Sequence, residues 1–395
     1  MANEAAPNHP VKLTHRSGHA HVLNSLAMNL TGITMETPEP VGGIIDRDLD
    51  TGMPNGLLFE MGDFLSARIP PLNERDLERG IMMADQELLS SGITTVQDAS
   101  FRNDRERWTL FQSWKEGGKL HPRLNMMLGF QSFHKNGLDS SMASPKNHML
   151  GIHGVKIILD ETTGRLVPSR LELDEMVLRI HESGLQAVIH AVQENAVEAA
   201  CLAVEKALTR IPRQDHRHRI EHASICPPYL AKMIAKLGIM VVSQPGFIHE
   251  NGDRYLETVE PDKLPHLYPF GSLFKAGIPV AGSSDCPYAA LNPLTGMSAA
   301  VSRKSGKGKG VTLHEGIRAV EALKMYTRHG AYSSFSEREK GALSPGKFAD
   351  LVVLSGDPLN TPPDEIKEIQ VEMTIIDGKI VWKRERPEEK GIIAL

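Results

Sequence analysis

Cysteine is scarce in this sequence: Cys201, Cys226 and Cys286 are the only three in 395 residues. An odd, sparse set does not make a disulfide framework and fits a reducing compartment. Long apolar runs are also missing. Nothing approaches the roughly 20 residues needed to cross a bilayer, and the opening MANEAAPNHPVKL has no apolar core of signal-peptide length. Nor is there a strong charge of either sign. The formal net charge of −5 argues against a general nucleic-acid or anionic-membrane binder. The basic stretch RKSGKGKG (303–310) is short and lacks the ending of a phosphate loop, so it is expected to be a mobile, solvated loop. These absences lead us to expect a cytoplasmic, soluble protein. With 41% hydrophobic and 24% charged residues, the chain can bury one large core with a small appended module.

From residue 92 onward, short β-branched runs alternate with helix-like stretches. GITTVQDA (92–99), RLNMMLGF (123–130), GVKIILDE (154–161), LQAVIHA (185–191), RHRIEHAS (217–224), GIMVVSQPGF (238–247) and GIPVAGSSDCP (277–287) are the strand candidates. Between them, SRLELDEMVLRIHESG (169–184) has capping-box spacing at Ser169 and Glu172, and an apolar stripe of Leu173, Met176, Val177 and Ile180. Such alternation implies parallel βαβ units. Seven strands are one short of a closed eight-strand barrel. Residues 1–75 are rich in glycine and proline and show no βα rhythm, with a short helix expected within 15–33. Residues 313–335 are mostly helical in pattern. Segments 341–358 and 371–382 are expected to be strands, with Asp377-Gly378 a hairpin turn between the last two apolar runs.

Four polar residues stand at or near the ends of these runs: Lys156, His190, His222 and Asp285. In a barrel of parallel strands those ends converge on one mouth, where the active site sits. Histidine suits zinc and similar metals as a neutral imidazole. A free lysine ammonium repels cations, but its carbamate would be an anionic two-oxygen ligand. An aspartate beside a metal can bind it and also take a proton.

Taken in order, GITTVQDA, GVKII, AVIHA, RIEHAS, VVSQPGF, GSSDCP, SPGKFADLVVLSGDP and IIDGKIVW resemble the amidohydrolase superfamily. The resemblance is closest to its amidohydrolase family three branch, the one similar to N-substituted formamide deformylase. SGHAHVLNSLAM (17–28) is similar to that family's histidine segment before an asparagine-serine pair, so the likeness runs over almost the whole chain. It implies an α/β, TIM-like (β/α) barrel of the metal-dependent hydrolase type with a small C-terminal β module. The expected organisation is an irregular substrate-side segment over 1–75, the barrel over 76–335, and half of a small β-sandwich over 336–395.

By position, the resemblance implies Lys156 as a carbamylated bridging ligand, formed with carbon dioxide. His190 and His222 become metal ligands, and Asp285 a metal ligand and general base. His19, Gln244 and His249 fall on the substrate side. The implied cofactor is a divalent metal such as zinc, as one or two ions. The implied reaction is hydrolysis of a non-peptide carbon–nitrogen bond, an amide or formamide, by metal-bound hydroxide. Deamination or cyclic-amide opening on the same fold is the alternative chemistry.

One departure matters. The family's first barrel strand carries a histidine-any-histidine pair, and none precedes residue 15. The barrel is therefore expected to be incomplete at its first strand, as in a truncated gene product or a chain completed by another segment. An inactive or binding-only protein is the second expectation. Exposed barrel edges are compatible with a homodimer. Two local pairs, His19-Ala20-His21 and His216-Arg217-His218, are the substitutes the sequence offers.

Overall fold

The computed structural model describes residues 2–385, except Arg16, Ser17, His19, Val41, 138–141, 143–147 and 162–163. The chain forms two compact units, Met1–Arg79 and Gly80–Leu395.

The first unit carries a sheet that its glycines and prolines conceal in the sequence. Strands β1 (Lys12–Thr14), β2 (Ala20–Leu23), β3 (Ile44–Arg47) and β4 (Pro54–Phe59) form an antiparallel sheet in the order β1-β2-β4-β3. Gly56 sits in β4 at φ 94°, where a Cβ would stand 2.3 Å from the Leu23 carbonyl oxygen. Only glycine permits that approach. The expected short helix is Ser25–Thr31. Asn24 caps it by accepting from the Ala27 N–H, and Gly32 ends it in the left-handed conformation. Leu23, Ile33, Ile45, Leu58, Met61 and Leu65 make its core.

The second unit is built on seven parallel strands: β5 (Thr95–Asp98), β6 (Arg123–Gly129), β7 (Leu150–Ile158), β8 (Gln186–Ala191), β9 (Arg219–His222), β10 (Met240–Ser243) and β11 (Val280–Gly282). They lie side by side in chain order as a curled half-barrel sheet with helices between successive strands. Helix Arg170–Glu182 starts at the capping box of Ser169 and Glu172, and it buries Leu173, Val177 and Ile180 completely.

The gap between the two end strands is spanned by one helical segment. On the β5 side, Gln97 Nε2 donates to the Gly330 carbonyl (2.8 Å) and to Ser333 Oγ (2.7 Å). On the β11 side, His329 Nδ1 donates to the Val280 carbonyl at 2.9 Å. Cβ atoms on Gly282 and Gly296 would stand 2.7 Å from the Tyr326 ring and 1.8 Å from its hydroxyl respectively. The Gly330 carbonyl and the Ser333 and His329 side chains thus satisfy polar groups of the two end strands.

A three-stranded antiparallel sheet ends the unit: β12 (Leu351–Leu354), β13 (Val371–Ile376) and β14 (Lys379–Lys383). Asp377 and Gly378 both have positive φ, 55° and 76°, as a type I′ hairpin turn requires. Buried Arg123 of β6 binds this module. Its Nε and Nη2 donate to Asp350 at 2.6 and 3.0 Å, and its guanidinium stacks 3.9 Å over the Phe348 ring.

The basic stretch is less loose than its composition suggests. Arg303 is fully buried and donates to the carbonyls of Val311, Tyr268 and Leu267, while Lys309 pairs with Asp253 at 3.3 Å. Among the described residues, no helix is long and apolar enough to cross a membrane. The three cysteines are free, with Cys201 and Cys226 buried and Cys286 exposed.

Candidate functional site

Strand register sets the site. β7 pairs with β8 so that Lys156 lies beside Val188 and Ile158 beside His190. β8 pairs with β9 so that His190 lies beside Glu221 and Ala191 beside His222. The ends of β7, β8 and β9 therefore bring Lys156, His190, His222 and Glu221 to adjacent positions. Two of the key backbones leave ordinary strand geometry here. His222 has φ 75° at the last position of β9, and Asp285, beyond β11, has φ 52°. Left-handed backbone is costly for residues with a Cβ, and it re-aims the side chain at the point where the strand stops.

His222 is held on three sides. Its Nδ1 lies 2.8 Å from Gln244 Oε1, and its Nε2 lies 2.9 Å from His190 Nδ1. The two rings meet edge-on, with centroids 4.4 Å apart and planes at 73°. Ser243 Oγ donates to the His222 carbonyl at 2.7 Å, and Gln244 Nε2 donates to Ser283 Oγ at 3.0 Å.

Charge is concentrated below this pair. Arg219 Nε lies 2.6 Å from Glu221 Oε1, and both residues are buried within β9. Arg219 Nη1 also donates to Gln97 Oε1 at 2.6 Å. Burial pulls the Lys156 ammonium down from its ordinary pKa, Glu221 and Asp285 pull it up, and Arg219 adds to the fall. Burial pushes the Asp285 carboxyl up, against the opposing pull of His222 and Lys156. Burial, with His222 and Lys156 nearby, drives His190 down to about 2, so it is a neutral imidazole at physiological pH. His222 is also lowered, chiefly by burial. Burial alone would raise Glu221, but Arg219, Lys156 and His222 together hold it below its usual range.

The structure thus groups Lys156, His190, His222, Asp285 and Gln244. His249 follows Gln244 by five positions. It sits half-buried on helix Gly246–Thr258, and its carbonyl accepts from the Gly306 N–H at 2.6 Å. The charges acting on it are those of Lys367 and Glu250. His19 lies outside the described residues. Glu221 and Arg219 were not singled out in the sequence. Their signal was two charges at alternate positions of a short apolar strand, which places both on one face of a sheet buried on both sides.

His216 and His218 form a different structure, at the opposite end of β9. His218 Nδ1 accepts from the Ala187 N–H at 2.9 Å, and its Nε2 lies 2.9 Å from His181 Nδ1. His181 Nε2 donates to the Ile211 carbonyl at 2.7 Å. His216 Nδ1 accepts from the His218 N–H, and its Nε2 donates to the Leu237 carbonyl, both at 2.9 Å. All six ring nitrogens are occupied, so this pair offers no nitrogen to a metal. His21, of the other pair, lies in β2 with Nδ1 3.1 Å from Thr14 Oγ1.

Do these residues suit a divalent metal? The donor set does. There are two neutral imidazoles nitrogen-to-nitrogen, one with its second nitrogen engaged by a carbonyl, and an aspartate and a lysine lie within their field. Among the described residues, no three histidine, cysteine, aspartate or glutamate side chains form a metal-holding group by themselves.

Known proteins agree with the fold. A metal-dependent hydrolase of Pyrococcus horikoshii, otherwise uncharacterized, superposes with a TM-score of 0.73 at 25% identity, over 91% of this chain and 74% of that one. The counterpart from Pyrococcus furiosus superposes at 0.70 with 24% identity, over 89% and 74%, and shows the same fold. The architecture is that of the metal-dependent hydrolase barrels. The model of the amidohydrolase family matches residues 1–382, and the chain belongs to that family, in its family three branch. N-substituted formamide deformylase of Arthrobacter pascens is 30% identical over 410 aligned positions, covering 97% of this chain and 75% of that protein.

Proposed function

We propose that this chain hydrolyses a non-peptide carbon–nitrogen bond, an amide or formamide, at a divalent metal held by His190, His222, Asp285 and Lys156. The observation that carries the reading is the His222–His190 contact at 2.9 Å, with Lys156 and Asp285 electrostatically coupled to it. The 30% identity to a formamide deformylase supports the choice of bond. Two imidazoles and oxygen donors favour zinc. Lys156, its amine made less basic by burial, is suited to take up carbon dioxide as a carbamate with loss of a proton. A metal there supplies Lewis acidity toward the carbonyl oxygen and acidifies water.

The chain's own groups do the rest. Asp285, raised by burial, is the base that takes a proton from the attacking water and delivers it to the departing nitrogen. The carbon–oxygen bond forms, the carbon–nitrogen bond breaks, and the products are a carboxylic acid and an amine. With the His190 proton on Nε2 instead of Nδ1, the facing Nδ1 of His190 and Nε2 of His222 would both offer lone pairs to the metal. The test is metal content of the purified protein, together with acid release from a panel of N-substituted formamides and amides. Bound divalent metal and turnover lost in Asp285→Asn support the reading. Absence of metal, or turnover unchanged by that substitution, overturns it.

A second reading is a binding protein without turnover on the same fold. Folded protein that binds no zinc and releases no acid from the panel would support it.

A further inference from the structure

We propose that Gln244 is a positioning residue for His222, holding its imidazole in the Nδ1–H tautomer so that Nε2 presents its lone pair to the site. The proposal rests on the metal reading above only for its consequence, not for its geometry.

Gln244 follows the last residue of β10, is 1% exposed, and turns its amide to the His222 ring. The amide has a direction. Its nitrogen donates to Ser283 Oγ at 3.0 Å, which leaves Oε1 facing His222 Nδ1 at 2.8 Å. A carbonyl oxygen can only accept, so Nδ1 carries the proton. Nε2 of a neutral ring is then a lone pair, and it points at His190 Nδ1, 2.9 Å away. The contacts run in one chain from Ser283 through Gln244 and His222 to His190.

The neighbour of Gln244 completes the clamp. Ser243 Oγ donates to the His222 carbonyl at 2.7 Å. Two consecutive residues therefore grip His222, one by its backbone and one by its ring. That double hold also offsets the cost of φ 75° at His222. The contrast with His218 is informative. There a backbone N–H occupies Nδ1 and forces the other tautomer, and Nε2 is spent on His181. Both Nε2 atoms meet another imidazole at 2.9 Å, but His218 donates there whereas His222 accepts, so only His222 has a lone pair on that side.

Ligand imidazoles are tuned by the acceptor on their second nitrogen, and loss of that acceptor costs about 10- to 100-fold in metal affinity. The experiment is nitrogen-15 NMR of the imidazoles in metal-free protein, with zinc titrated into the same samples. Wild type, Gln244→Leu and Gln244→Glu are compared, with Gln244→Glu keeping an acceptor at the same reach. The expected result is an Nδ1–H signature for His222 in wild type and Gln244→Glu. In Gln244→Leu the tautomer shifts toward Nε2–H and zinc binding weakens about 10- to 100-fold. An Nε2–H signature in wild type, or a Gln244→Leu protein unchanged in both tautomer and affinity, overturns the proposal. A wild type that binds no zinc defeats the metal reading alone, because the tautomer of His222 is then still read directly.

Discussion

Lys156 of β7 and Glu221 of β9 are buried on strands separated by β8, and each shifts the other: the carboxylate raises the ammonium and the ammonium lowers the carboxylate. Arg219 shares Glu221 through a 2.6 Å ion pair. The wall of the site therefore buries interacting charges among apolar neighbours, and that has measurable consequences.

Removing the carboxylate should be expensive. Glu221→Gln leaves Arg219 buried beside a neutral partner, and truncating one side of a buried pair costs about 3–5 kcal/mol. Denaturant unfolding should show that loss. A change below about 1 kcal/mol, within the range of exposed pairs, would mean the pair is solvated in solution.

Asp285 should behave differently. In the proposed reaction it is the base and not a fold anchor, so Asp285→Asn should lower turnover by about 10²- to 10⁴-fold. The melting temperature should stay within a few degrees of wild type. Full turnover in the variant would remove Asp285 from the chemistry.

The histidine relay should set an acid limit on stability. Burial holds His218 well below 6.5 in the folded chain, with His216, Arg213 and His181 adding to the effect. The unfolded chain takes up that proton as pH falls below about 6.5 while the folded chain does not. The stability is therefore present above the unfolded value and lost below it. His218→Gln should flatten the acid limb of the stability–pH profile by up to about 1.4 kcal/mol per pH unit, one proton's worth. An unchanged slope would show that His218 titrates normally.

Much of this was legible in the sequence, for local reasons. Seven buried parallel strands announce themselves as β-branched runs separated by amphipathic helices, and Asp377-Gly378 marks its own turn. Lys156, His190 and His222 could be picked out because each breaks an apolar run at or near its end. What could not be read depends on long-range packing. The first unit's strands are 3–6 residues long, too short to show a period among glycines and prolines. The bridge from Gln97 to Gly330 joins residues 233 positions apart. Gln244 was visible as a candidate, but the facing of its amide toward His222 was not. Arg303 was one charge in a basic stretch, and only the fold shows that it is buried.

The bridge across the open sheet can be tested through Tyr326. A Cβ on Gly296 would meet the Tyr326 hydroxyl at 1.8 Å. Gly296→Ala should destabilise the protein by about 1–3 kcal/mol through overpacking. Tyr326→Phe removes the clashing oxygen and should recover part of that cost in the double variant. Strictly additive losses would place Tyr326 away from Gly296 in solution.

The most direct measurement of the central claim is an anomalous-scattering map from crystals of the protein grown with zinc. The account expects a peak bonded to His190 and His222, with Asp285 and Lys156 around it. A fully folded protein with no peak at that pair, or with zinc bound elsewhere and amide hydrolysis intact, would contradict it.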